Sequence, residues 1–467
     1  MVPILPLIVL LPFLSIIVML SVNEKFAHRI TLITSVVVLL LALTAVSMFK
    51  LGLYTSFYSV YINELNISLG FQLTQITSIL VVMTAIVLAA ASFVGKYFIR
   101  ENERTYSIIF AIVESSSLAL FMSANLFMLY VFWEICEIAM FFIIFMYGGY
   151  DRRYASIKFI VYSLVSSLLL LISIILIYNS VTPHTFNISL LLESAKSIST
   201  NMQLLIMLLL LGSFMIKMPI FPLHSWLPDA HTEAPTTGSM ILAGILLKFG
   251  GYGLLLMFLM LPLATKYSPY IAGIFILSSI YAALVAMRQT NIKRAIAYMS
   301  VTDMGIVALG VAASNILGYS GALYGMLSHG IAISILFLIA GTLDELYGTL
   351  EINKIKGVMK NFPSLSYLFI FGAIATIGVP ITAGFIGDLF VFLGSFKSFG
   401  VAGIVSLSSI VLIGAVLFWI VERVFLGSKE TEPYRRPWKR IIYAGLFLAA
   451  SVIVLGIFPF LLLPGQI

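Results

Sequence analysis

Eight ionisable side chains stand inside otherwise apolar stretches of this sequence. Glu134 and Glu137 lie in FMLYVFWEICEIAMFFIIF, three residues apart and so on one face of a helix. Lys217 precedes a proline pair in SFMIKMPIFPLHSW, and Lys248 lies in MILAGILLKFGGYGLLL. Asp303 sits in IAYMSVTDMGIVALG, His329 in YGMLSHGIAISILFL, Asp388 in GFIGDLFVFLGS and Glu114 in IIFAIVESSSLAL. His231, in the stretch LPDAHTEAPT, joins them as a further candidate. A charge at the middle of a membrane helix costs roughly 2.5–3.5 kcal/mol on insertion scales, so each needs a reason. One isolated residue is most simply a helix-locking partner or a side chain that snorkels outward, and Glu114 reads that way. Eight titratable groups over seven helices exceed what locking requires and suit a proton relay. A desolvated lysine sheds its proton and an approaching carboxylate restores it, so relative movement of the two loads or unloads a proton without a cofactor. Imidazole titrates in the range between them.

The elements that carry these groups are membrane helices. Hydrophobic residues make up 61% of the 467 and charged residues 10%, and mean hydropathy is +1.11; such a stock cannot cover a water-soluble domain of this size. Apolar runs of roughly 17–25 residues, the length that crosses a bilayer, number about fourteen and start near residues 2, 30, 73, 105, 125, 155, 202, 236, 268, 294, 319, 364, 401 and 441. The first lacks a basic leader and a small-residue cleavage site and is expected to be a retained helix. The net charge of +7 points to topology rather than nucleic acid, because 20 of the 26 Lys and Arg residues fall in odd-numbered loops and 4 in even-numbered ones, with Lys217 and Lys248 inside the membrane. The positive-inside rule then places the odd loops in the cytoplasm and both termini outside.

Two runs are interrupted alike: IKMPIFPLHSW by Pro219 and Pro222, and IGVPITAGFIGD by Gly378, Pro380, Gly384 and Gly387. Proline removes a helix donor and glycine loosens the backbone, so both segments are expected to unwind at depth. The breaks lie five runs apart, which predicts two inverted five-helix repeats, residues 105–250 and 268–427, within a single membrane domain 1–467. The one cysteine, Cys136, excludes internal disulfides and cysteine-ligated clusters in this chain, and no Walker loop or strand-borne GxGxxG is present. His224, Asp229, His231 and Glu233 match no zinc or calcium spacing, so no metal is expected. Gly321 and Gly325 read as close helix packing, and the loop GSKETEPYRRPWKR as a contact for anionic lipid or a partner subunit.

The stretch KMPIFPLHSWLPDAHTEAPTTGSMILAGILLKFGGYG resembles the M-type antiporter-like membrane subunits of respiratory complex I, within a wider set that includes Mrp antiporter and membrane-bound hydrogenase subunits. FWE at Glu134, RAIAYMSV, LSHG at His329 and GVPITAGFIGD carry it further, from about Tyr106 to Arg423. The resemblance implies an all-α fold of fourteen helices with two inverted repeats. It implies a proton-translocating subunit of an NADH- or similarly driven quinone oxidoreductase in a prokaryotic plasma membrane. It also implies that quinone, flavin and iron–sulfur clusters belong to partner subunits and that this chain holds no cofactor. Glu134 corresponds to the glutamate paired with the broken-helix lysine, Lys217, and Lys248 to the central lysine. Asp388 stands where M-type subunits have glutamate and many relatives lysine, and Asp303 where histidine is usual. Glu137 and Glu114 read as additions to the pattern. An Mrp-type sodium/proton antiporter subunit and an ion-pumping hydrogenase subunit are the alternative readings.

Overall fold

The computed structural model describes residues 4–53, 56–62, 67–427 and 431–463. Open backbone N–H and C=O groups are not tolerated in hydrocarbon, so the apolar runs close their hydrogen bonds internally as helices. The first six are α1 (Ile4–Ser21), α2 (Ala27–Lys50), α3 (Gln75–Phe98), α4 (Glu103–Met122), α5 (Leu126–Tyr147) and α6 (Arg152–Ser180). Between α2 and α3, β1 (Ser56–Ile62) pairs antiparallel with β2 (Ile67–Gln72), with a register irregularity between Tyr58 and Val60. The all-helical expectation had no place for this hairpin, whose short strands lie in the polar stretch after α2. A short α7 (Ile188–Ser194) leads to α8 (Thr200–Lys217), which stops at the first proline pair, and to α9 (Trp226–Glu233).

Next, α10 (Thr236–Ile241), a π turn at Leu242–Leu246 and α11 (Leu247–Met260) form one continuous buried run. Then come α12 (Pro262–Lys266), α13 (Ser268–Ala286), α14 (Ile292–Ala312) and α15 (Ile316–Tyr347). After α16 (Val358–Asn361), α17 (Pro363–Ile377) and α18 (Ala383–Phe399) flank the second interruption. The described chain closes with α19 (Val401–Ile404), α20 (Leu407–Ile420), a π turn at Val421–Phe425 and α21 (Lys439–Ile457). Among the described residues, thirteen helical runs are long and apolar enough to cross a membrane. The broken pair α17 and α18 occupies the run that the sequence starts near residue 364.

The innermost elements are α15 and the Thr236–Met260 run, both buried along their length, while α2, α6, α13 and α20 turn apolar side chains outward. Helix α18 crosses α15 where glycine faces glycine: a Cβ on Gly387 would stand 2.7 Å from the Gly325 nitrogen, so the GxxxG of the sequence is a crossing point. That approach brings Asp388 against the core.

The loops sort to two ends as their cation content predicts. Arg100 and Arg435 both pair with Glu345, the Tyr147 hydroxyl donates to the Asn102 carbonyl at 3.0 Å, and the Ile292 N–H donates to the Leu350 carbonyl at 3.0 Å. At the opposite end the Ala124 N–H donates to the Gly70 carbonyl at 3.1 Å, and Lys50 Nζ to the Phe460 carbonyl at 2.8 Å. In a Cys136→Ser background, a cysteine at Arg435 should react only with reagent on the cytoplasmic side, and one at Ser189 only with reagent outside. Labelling of both from one side of intact cells would overturn the assigned alternation.

Candidate proton-relay site

Lys217 is the last residue of α8, held at the break where the helix ladder stops. The Trp226 indole of α9 donates to the Ile216 carbonyl at 2.9 Å, and the Phe221 N–H donates to the Ser278 hydroxyl at 2.9 Å, so the unwound turn is pinned on both sides. The ammonium forms an ion pair with Glu137 of α5, and both side chains are 1% exposed. The rings of Phe159, Trp133 and Phe249 surround it at 5.5, 5.7 and 5.9 Å, supplying negative π faces in place of water. The expected partner was Glu134; it is Glu137 that meets the lysine. Glu134 lies one turn away toward the Tyr130 side, half-buried and within electrostatic range of Glu137. The helix turns about 100° per residue, so positions three apart diverge enough that one side chain reaches α8 while its neighbour does not.

A second group is built from α11, α14, α15 and α18. The π turn Leu242–Leu246 interrupts the α-helical ladder just before Lys248, and Lys248 Nζ donates to the Ala243 carbonyl. The same nitrogen lies 2.6 Å from Nδ1 of His329. With the lysine as donor, Nδ1 accepts, and the imidazole hydrogen sits on Nε2. That nitrogen is 3.8 Å from Asp303 Oδ2, a gap that a small movement or one bridging water spans. Asp303 is in electrostatic range of both Lys248 and Asp388. Asp388 folds back over the second break, where Gly378 has φ +74° and a Cβ would stand 2.5 Å from Asp388 Oδ2. The left-handed backbone there favours glycine, and the Asp388 carboxylate rests over it.

Thus Lys248, His329, Asp303 and Asp388 converge as one series, with the lysine and imidazole buried and the two carboxylates half-buried. Lys217 and Glu137 form a separate pair, and Phe249, next in chain to Lys248, turns its ring toward Lys217. His231 packs against Phe337 (ring centroids 4.5 Å apart, interplanar angle 12°) and is in electrostatic range of Lys248 and His329. Neither of its ring nitrogens has a hydrogen-bond partner among the described residues. Glu114 stays apart from both groups, with its Oε2 accepting from the Ser35 hydroxyl at 3.0 Å.

Other groups turn out to be used structurally or were missed. Asp229 accepts from Lys158 at 2.7 Å and from Arg294 at 2.8 Å, and Glu233 accepts from the Asp151 N–H at 2.9 Å. Lys293, assigned to a loop by the sequence, is 4% exposed and donates to the Ala234 carbonyl at 3.2 Å, with Asp344 in electrostatic range. Asn291 caps α14, so Lys293 stands in the first turn of a helix that its neighbours bury.

Residues 123–414 match the family described as NADH:quinone oxidoreductase/Mrp antiporter, transmembrane. The chain belongs to this family. Every candidate except Glu114 falls within the matched span. The NADH-quinone oxidoreductase subunit M of Rickettsia bellii is 38% identical over 390 residues, covering 82% of this chain and 77% of the relative. The NADH-ubiquinone oxidoreductase chain 4 of Marchantia polymorpha is 34% identical, covering 84% of this chain and 80% of the relative. In fold, the chain is similar to a chain of respiratory complex I from Thermus thermophilus at TM-score 0.90 and 24% identity, covering 97% of this chain and 96% of that one. A chain of the Mrp complex from Dietzia sp. DQ12-45-1b follows at TM-score 0.89 and 19% identity, with 98% and 95% covered.

The ion pair yields a sharp expectation. Lys217→Met and Glu137→Gln should each lower proton uptake into proteoliposomes by about 10²-fold, the low end of what a positioned proton-transfer group contributes. The double variant should be no worse than the worse single, because both act on one step. Glu134→Gln should cost less than Glu137→Gln; the reverse order would return the partnership to Glu134.

Proposed function

We propose that this chain is a proton-translocating membrane subunit of a complex I-type NADH:quinone oxidoreductase. The observation that carries the reading is the series Lys248, His329, Asp303 and Asp388 inside the bundle, bounded on one side by the buried Lys217–Glu137 pair. A lysine held by a neutral imidazole and a carbonyl passes a proton when its surroundings are re-polarised, and the imidazole hands it on through its other nitrogen. The carboxylates of Asp303 and Asp388, within range of one another, resist being charged together, so arrival of a proton at one favours release from the other. Coupling is therefore electrostatic, and the Glu137–Lys217 pair is the element whose opening or closing changes the field at Lys248.

Electron transfer belongs to partner subunits, which would hold flavin, iron–sulfur clusters and the quinone site; this chain acts as the translocase component without a redox centre. Other antiporter-like subunits and the quinone-site subunits are its partners in the membrane arm. The chain lies as a multi-pass protein in a prokaryotic plasma membrane with both termini outside. Residues 105–250 and 268–427 are its two inverted halves. The interruptions of α8/α9 and α17/α18, each carrying a charged residue beside it, support that division.

The test is proton uptake into proteoliposomes holding the assembled complex, with quinone reduction followed in parallel. Asp388→Asn should reduce uptake about 10²-fold, and Asp388→Glu should retain most of it. Uptake should be unchanged when choline replaces sodium. Normal uptake by an assembled Asp388→Asn complex would remove the carboxylate from the path, and strict sodium dependence would favour an Mrp-type antiporter.

A further inference from the structure

At the end of the bundle opposite the cation-rich loops, a cavity of about 390 Å³ lies between the start of α3, the end of α4, the short α7 and the last turns of α11. Thr74, Thr77 and Ser123 give it a hydroxyl-bearing wall, and α11 contributes Leu259, Leu256 and Tyr252. The spacing of those three decides where the cavity leads. Positions 259, 256, 252 and 248 recur at steps of three or four, so they share one helix face. The next side chain on that stripe beyond the cavity is Lys248. Tyr252 lies eight residues before the end of α11 at Met260, about 12 Å inward, and Lys248 one turn further, about 6 Å.

Helix α3 converges on the same place. Thr84 follows Thr77 by two turns on the same face and is fully buried. Its hydroxyl donates to the Leu80 carbonyl at 2.7 Å, which leaves the oxygen free to accept. One turn deeper, Val87 packs against the π turn beside Lys248, where a Cβ on Gly244 would stand 2.8 Å from its methyl group. Tyr252 is 3% exposed and meets Phe121 edge-on, with ring centroids 5.9 Å apart. Hydroxyl-bearing side chains thus stand on both helices in the interval between the cavity and the buried ammonium. A hydroxyl accepts a proton on its oxygen and releases the one it carried, so it passes a proton without keeping a net charge in the interval.

We propose, on the relay reading given to Lys248, that this cavity is the outward proton outlet of that lysine, with Tyr252 and Thr84 as the steps between them. In the structure Lys248 Nζ turns back along its helix to the Ala243 carbonyl and to His329 Nδ1, away from Tyr252. In that orientation it belongs to the series that ends at Asp388. Rotation of its side chain toward the C-terminal side of α11 presents the same ammonium to the outlet. One lysine with two orientations is then a valve, joined to the relay or to the cavity but never to both at once.

Proton uptake into proteoliposomes holding the assembled complex tests this, with quinone reduction followed in parallel. Tyr252→Phe keeps the ring against Phe121 and removes only the hydroxyl, and it should lower uptake about 10²-fold. Thr84→Val should lower uptake as well, and Thr84→Ser should keep it. A second measurement separates the outlet from a packing role. Leu259→Cys, in a Cys136→Ser background, places a thiol at the mouth of the cavity. A bulky methanethiosulfonate added before reconstitution should block uptake by this variant, and dithiothreitol should restore it. Asp388→Asn is measured alongside. Normal uptake by the Tyr252→Phe complex, or by the modified Leu259→Cys complex, with Asp388→Asn still blocked, would overturn the outlet and leave the relay standing. Normal uptake by Asp388→Asn would overturn the relay reading and the outlet with it.

Discussion

Lys248 is tolerable at the centre of the bundle because the Leu242–Leu246 turn opens the helix ladder beside it. An ammonium in hydrocarbon needs donors' partners as well as counter-charge, and a regular helix has none to lend. The widened turn presents the Ala243 carbonyl, and His329 supplies a second acceptor. The arrangement fixes the register of α11 against α15 and, through His329, directs the imidazole edge at α14. The placement of Asp303 and Asp388 follows from that register, since α18 lies close on α15 where Gly387 meets Gly325 and Gly394 meets Gly318. A side chain at Gly387 would meet the α15 backbone and push the neighbouring Asp388 outward, so the packing of small residues and the chemistry of the carboxylate are one constraint.

The two ionic groups are bounded differently. Lys217 and Glu137 are closed in by aromatic rings, which stabilise a cation while refusing it a hydrogen-bonded exit. Lys248 has polar company on several sides. An ion pair that is fully desolvated stores a large field in a small volume, and removing either member leaves an uncompensated charge. Influence between the groups is therefore transmitted through space more readily than through a file of donors and acceptors.

The span order, the two interruptions and the presence of ionisable side chains at depth were legible in the sequence because hydrocarbon punishes each charge and each open amide, leaving a residue-level trace. Partnership was not. Glu134 and Glu137 are equally acidic and share a helix face to within one turn; which of them meets Lys217 depends on the rotation of α5 against α8, a property of packing that the local pattern does not encode. The π turn left no signature either, since LAGIL is as apolar as its surroundings. Lys293 was misread because charge at a helix start resembles charge in a loop, and only the neighbours of α14 decide how deep that start lies. The β1–β2 hairpin, in a polar stretch between two spans, carried less contrast than the membrane helices around it.

Asp229 grips Lys158 of α6 with one carboxylate oxygen and Arg294 of α14 with the other. This one carboxylate, on α9 beside the first interruption, is a rivet between α6 and α14. A machine that worked by swinging α6 past α14 would have to shear the rivet on every stroke.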